Sequence, residues 1–153
     1  MSKLELKIPP VLVVVIFAFL MWLMTKFTVD VEFLMSYRWM LCVPLFCLGG
    51  IFSLLGVASF KTAQTTVNPT KPEASSALVK TGIYQYSRNP MYVGFLFILL
   101  AWGFLLSNAY AIAITPGFVF YLNRFQIRPE EKMLSRIFGD EFCGYQKRVR
   151  RWL

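Results

Sequence analysis

The sequence predicts an all-α integral membrane protein of about four transmembrane helices, followed by a cytoplasmic C-terminal helix. Three observations predict it. Of 153 residues, 57% are hydrophobic and only 16% are charged, whereas a soluble domain is about half apolar and about a quarter charged. The charges leave three long uncharged runs. The basic residues also gather on one side of those runs, as the positive-inside rule requires. A chain of this length is expected to form a single domain, residues 1–153.

The first run, Ile8 to Thr25, has 18 uncharged residues. A signal peptide is the rival reading, but the apolar core is too long and no small-residue cleavage site follows it. The first span is therefore 8–25. The second run covers 39–60, with 22 uncharged residues, enough to cross about 30 Å of hydrocarbon. Its small-residue row Gly49, Ser53 and Gly56 suits close helix packing, within one chain or between two. The third run, Asn89 to Asn123, has 35 uncharged residues. One helix of that length would reach about 52 Å, well beyond a bilayer. "SNAY" from Ser107 offers a polar turn, which divides the run into spans at 91–106 and 109–124, with Pro116–Gly117 kinking the second.

Pro69 and Pro72 make the 61–90 loop irregular, with "LVKTGIY" as a short extended piece closing in a turn at Thr81–Gly82. In the tail, Pro129 suits the first turn of a helix over 129–151, where Glu130 and Glu131 sit near its positive end. Phe142, Tyr145, Val149 and Trp152 recur at helical spacing and read as a packing face. The N-terminus, the 61–90 loop and the tail carry 14 of the 16 Lys and Arg residues and six of the eight acids. Both termini and that loop are therefore expected on the cytoplasmic side. Contact with anionic lipid head groups explains such a basic face better than nucleic acid does.

Several function classes are disfavoured. The chain has no histidine, which removes the usual triads, zinc sites and pH switches. Cys42, Cys47 and Cys143 show no CxxC spacing, and two of them lie in an apolar run where cysteine acts as a small hydrophobe. The spans hold no acid or base, against a proton-coupled transporter or ion channel. Chemistry is left to carboxylates, Arg, Lys and Tyr at the cytoplasmic ends, helped by a reactive cosubstrate. Two segments qualify: "SRNPMYVG" before the third span and "RPEEKM" after the fourth. If those spans form a hairpin, the segments meet on one surface.

"LVKTGIYQYSRNPMYVG" followed by "RPEEKMLSRIFGDEFCGYQKRVRRWL" resembles the membrane methyltransferase superfamily of isoprenylcysteine carboxyl methyltransferases and phospholipid methyltransferases. The resemblance covers about residues 76 to 152 and rests on two ordered motifs at the right separation. It implies S-adenosylmethionine as cosubstrate, no metal, and a lipophilic or lipid-linked acceptor arriving from the bilayer. By position, Leu78, Val79, Tyr84, Asn89, Pro90, Met91 and Tyr92 would line the cosubstrate site, with Glu130 closing it and Glu131 beside it. Asn89 stands where many members have histidine. An arginine before the Glu pair is linked to acceptor carboxylate binding, and Arg124 and Arg128 are both candidates. No GxG follows in the third span, where phosphatidylethanolamine methylating members are associated with one.

The chemistry fits these residues. A sulfonium already activates its methyl group, so the protein mainly positions donor and acceptor, an effect that can supply roughly 7–11 kcal/mol. Glu130 can offset the cation, Tyr84 and Tyr92 can offer π faces, and Arg88 can bind a carboxylate or anchor the helix end. The acceptor is open among carboxylate, amine and thiol, and the oligomeric state is open too. Two other readings compete: an NADPH-dependent enzyme of the sterol reductase type, whose members share a related C-terminal pattern but are much larger, and a non-catalytic membrane transporter or adaptor.

Overall fold

The computed structural model describes residues 5–63 and 77–153, and every element in them is helical. The order is α1 (Pro10–Met24), α2 (Glu32–Thr62), a 3-10 turn (Gly82–Gln85), α3 (Pro90–Leu105), α4 (Ala109–Ile112), α5 (Thr115–Leu122), a π-helical turn (Asn123–Ile127) and α6 (Arg128–Arg148). The Pro69–Pro72 stretch lies outside the described residues.

α1 starts on a proline, whose missing N–H costs nothing in a first turn. It is apolar on every side, and Val11, Leu12, Val15 and Phe19 face outward. A helix of that kind needs an apolar surrounding. α2 begins at Glu32, seven residues ahead of the expected span, and contains Pro44. It is the one described helix long and apolar enough to cross a membrane; α1 and α3 are shorter apolar helices. Phe33, Trp39, Phe46 and Leu54 of α2 are also exposed.

The small-residue row of α2 packs within the chain, against α3. A Cβ on Gly94 would sit 2.6 Å from the Gly49 carbonyl oxygen, and one on Gly49 would sit 2.8 Å from that of Gly94. Only glycine at both positions allows backbones this close. On the other side, Val13 and Met21 of α1, Tyr92 and Leu99 of α3, and Phe118 and Leu122 of α5 form one apolar core with Ile127. Trp102 Nε1 donates to the Ala18 carbonyl at 3.0 Å, fixing α3 against α1.

The uncharged 35-residue run does turn at Ser107, which has φ +54°. Asn108 is fully buried and explains the turn. Its Oδ1 accepts from the Ala111 N–H, while its Nδ2 donates to Thr28 Oγ1 at 2.9 Å and to the Val29 carbonyl. The second half of the run is not one kinked helix. α4 ends at Ile112, and α5 starts afresh with Pro116 in its first turn, because proline has no N–H to continue the ladder.

α5 then runs through the π turn directly into α6. Glu130 and Glu131 are in the first turn of α6, but that turn is not a free helix end: the Arg128 N–H is already bonded to the Asn123 carbonyl. The expected dipole capping therefore gives way to side-chain partners. The expected helix over 129–151 also differs. Gly139 breaks it with φ +50°, and the chain leaves helical geometry at Val149. Phe142 and Tyr145 are buried as a packing face requires, while Val149 and Trp152 lie in or beyond that exit.

Candidate functional site

Pro90, fully buried, starts α3 and keeps the preceding residue, Asn89, out of helical geometry. Ser87, Arg88 and Asn89 are thereby presented to the residues that leave α6. The Arg88 N–H donates to the Arg150 carbonyl at 2.9 Å, and Asn89 Nδ2 donates to the Arg151 carbonyl at 2.9 Å. The tail is fastened across the start of α3 in this way. Ser87 is buried and its Oγ accepts from the Asn89 N–H, which shapes the turn.

Around this fastening lies a three-part ion cluster. Arg88 Nη2 meets Glu131 Oε1 at 2.8 Å, and Arg151 meets the same carboxylate through Nε at 3.2 Å and Nη2 at 2.6 Å. Arg88 and Glu131 are only 11% and 13% exposed, so their charges must be matched where they stand. Arg88 Nη1 also donates to the Gln146 carbonyl, but its Nε is buried without a partner.

One turn along, Tyr92 donates its hydroxyl proton to Glu130 Oε2 at 3.2 Å. This contact joins the "RNPMY" segment to the "PEE" segment, 38 residues apart. Removal from water pushes the Glu130 carboxyl up to about 7; the Tyr92 hydrogen bond opposes that rise and the neighbouring Glu131 charge adds to it. Tyr84 is buried with its ring edge-on to Phe60 at 5.4 Å. Its carbonyl accepts from the Tyr145 hydroxyl at 2.7 Å. Burial raises the phenols of both Tyr84 and Tyr145 above the ordinary tyrosine range. Val79 is buried and Leu78 half-buried beside them, and the adjacent Lys80 pairs with Glu141 at 2.5 Å. Met91 lies over Gly56 of α2.

The residues expected at the site thus divide. Tyr92 with Glu130, and Arg88 with Glu131, come together in pairs. Asn89 spends its side-chain donor on the tail. Arg124 and Arg128 do not join the Tyr92–Glu130 pair: Arg124 pairs with Glu5 at 3.2 Å, and both arginines line an open cleft with Pro129, Lys132, Met133 and Arg136. Ser87, Tyr145 and Arg151 contribute as well; all three lie inside the quoted segments, Tyr145 expected there as a packing residue and the other two with no expected role. Arg151 lies beyond the helix, where a periodicity of 3.6 carries no information.

An acid with a raised pKa beside a phenol and aromatic faces is suited to a cationic ligand, which draws the carboxyl back to its charged form. The unpartnered Arg88 Nε is a donor suited to an anionic group.

Residues 37–141 match the phospholipid methyltransferase family. Over 83 residues the chain is 40% identical to the protein-S-isoprenylcysteine O-methyltransferase of Saccharomyces cerevisiae, covering 52% of this chain and 34% of that one. It is 35% identical over 98 residues to the methanethiol S-methyltransferase of Pseudomonas deceptionensis, covering 64% and 35%. An uncharacterised protein of Haemophilus influenzae is 46% identical over 63 residues, 41% of this chain and the whole of that protein. The chain spans about a third of the length of the two named enzymes.

Proposed function

The chain belongs to the phospholipid methyltransferase family, and from that premise we propose a multi-pass membrane enzyme that methylates a lipophilic acceptor from S-adenosylmethionine at the Tyr92–Glu130 site. The observation that carries the proposal is the hydrogen bond between Tyr92 and Glu130. It unites the two motifs that lie at opposite ends of the apolar hairpin, and it puts a carboxylate where a cation can be offset.

The residues fit the cosubstrate in three respects. Glu130 supplies negative charge from a site poor in water, where it counts for more than in bulk solvent. Tyr84, Phe60 and Tyr92 supply aromatic surface for adenine or for a cation. Arg88 Nε supplies an unspent donor for a carboxylate. When bound, S-adenosylmethionine brings a methyl group already activated by its sulfonium. The chain's own work is then to orient the acceptor in line with that methyl and to keep water out. The Arg88–Glu131–Arg151 cluster ties the start of α3, the first turn of α6 and the tail together beside the site.

The acceptor class follows from access. α1 and α2 carry exposed apolar surface, which in this reading faces the bilayer and favours a substrate with a hydrophobic tail. Its nucleophile is a carboxylate, an amine or a thiol. Both termini and the loop before α3 face the cytoplasm in this reading, on the side where the basic residues collect.

Calorimetric titration of the detergent-solubilised protein tests the reading. S-adenosylhomocysteine should bind saturably and NADPH should not. Binding of NADPH alone would move the protein to reductive chemistry. Failure of both ligands in a folded sample would leave the methyl-transfer reading without support.

A further inference from the structure

We propose that the cleft between the N-terminal segment and α6 is a binding site for the phosphate of an anionic membrane lipid, separate from the Tyr92–Glu130 site. The cleft has a volume of about 270 Å³ and is lined by Glu5, Arg124, Arg128, Pro129, Lys132, Met133 and Arg136. Four of the seven are cations. Arg124 is partly offset by Glu5. Among the described residues no carboxylate pairs with Arg128, Lys132 or Arg136.

Those three cations recur every fourth residue, so they stand one above another on a single face of α6. Like charges at that spacing repel each other. An anion in the cleft relieves the repulsion. At about 100° per residue, Glu130 lies on the far side of the helix from Lys132, the centre of the basic face, and Glu131 lies on its flank. The two faces therefore serve different ligands. Topology alone asks for a number of cations on one side of the membrane; it does not ask for them to share a face and line a cleft.

The surroundings identify the anion as part of a lipid. Phe120 of α5 is exposed one helical turn before Arg124, and Val11, Leu12 and Val15 of α1 are exposed a few residues after Glu5. Apolar surface thus ends where the cations begin, on both walls. The Leu6 N–H bonds to the Phe125 carbonyl at 3.1 Å, and Gln126 Nε2 donates to the Ile8 carbonyl, so the walls are fixed to each other. A ligand filling this place has a phosphate in the cleft and acyl chains along α1 and α5. The assignment does not depend on methyl transfer.

Native mass spectrometry of the delipidated full chain, with added phosphatidylglycerol, phosphatidylcholine or inorganic phosphate, tests it. One phosphatidylglycerol should be retained per chain, phosphatidylcholine should not, and inorganic phosphate should not displace the lipid. The triple variant Arg128→Gln, Lys132→Gln, Arg136→Gln should bind phosphatidylglycerol at least roughly tenfold more weakly. A control that removes equal charge elsewhere, Lys147→Gln, Arg148→Gln, Arg150→Gln, should bind as wild type does. Equal loss in both triples, or retention of phosphatidylcholine, overturns the proposal. Inorganic phosphate binding as tightly as the lipid overturns the lipid source. Should the triple variant misfold by circular dichroism, the charge-keeping pair Arg128→Lys, Arg136→Lys must still bind; its failure to do so overturns the proposal as well.

Discussion

Glu130 has two neighbours that pull in opposite directions. Tyr92 donates to it and favours its charged form, while its removal from water favours the neutral form and prevails. A carboxyl raised from 4.5 to about 7 makes binding of a cation pH-dependent near neutrality. Affinity for S-adenosylmethionine should strengthen as pH rises through about 7, and titration from pH 6 to 8 reads it. Glu130→Gln should flatten that dependence and weaken binding roughly 10- to 100-fold, the worth of a hydrogen bond to a charged group. The same group acts on stability with the opposite sign. Between 4.5 and about 7 the folded chain holds the proton more firmly than the unfolded chain does. Its contribution is fully present below 4.5 and is lost as pH rises through about 7. The difference in melting temperature between wild type and Glu130→Gln should track that course. Arg151→Gln tests the neighbouring cluster: it removes both Arg151 bonds to Glu131 and should cost about 1–3 kcal/mol in denaturant unfolding. That the segments of Arg88 and Glu130 meet was legible in the sequence, because they stand at the two ends of one uncharged run. Arg151 was not, since its partner is set by where a non-helical tail lands.

At the scale of elements, the apolar helices were the most legible part, because long uncharged runs leave little other choice. Gly49 and Gly94 turn composition into geometry. Gly94→Val would drive a side chain into the Gly49 carbonyl and should destabilise by about 1–3 kcal/mol, read as a lower melting temperature in detergent. Asn108→Ala removes a helix cap and two bonds to the α1–α2 linker at once. It should cost about 2 kcal/mol or more, since Thr28 and Val29 lose their donor. The break at Gly139 could not be read from periodicity. Phe142 and Tyr145 keep helical spacing on its far side. The sequence shows a glycine there, but a glycine inside a helical pattern does not by itself announce the positive φ that it adopts.

The molecule as a whole is an asymmetric object, with apolar side chains outward on α1 and α2 and cations gathered around α6. Cys143 is exposed on α6, whereas Cys42 is buried and Cys47 faces outward from the apolar α2. A membrane-impermeant maleimide should label Cys143 in inverted vesicles and leave it unlabelled in intact cells. Labelling in intact cells would reverse the orientation inferred from the basic residues. The π turn at Asn123–Ile127 bears on the whole arrangement in another way. A π turn carries one residue more than an α-turn, and each residue added rotates the next helix by about 100°. The five residues therefore act as a phase-setting spacer between the apolar bundle and α6. Removing one of them would leave every helix intact, yet it would swing the acids out of reach of Tyr92 and bring a different face of α6 to the mouth of the site.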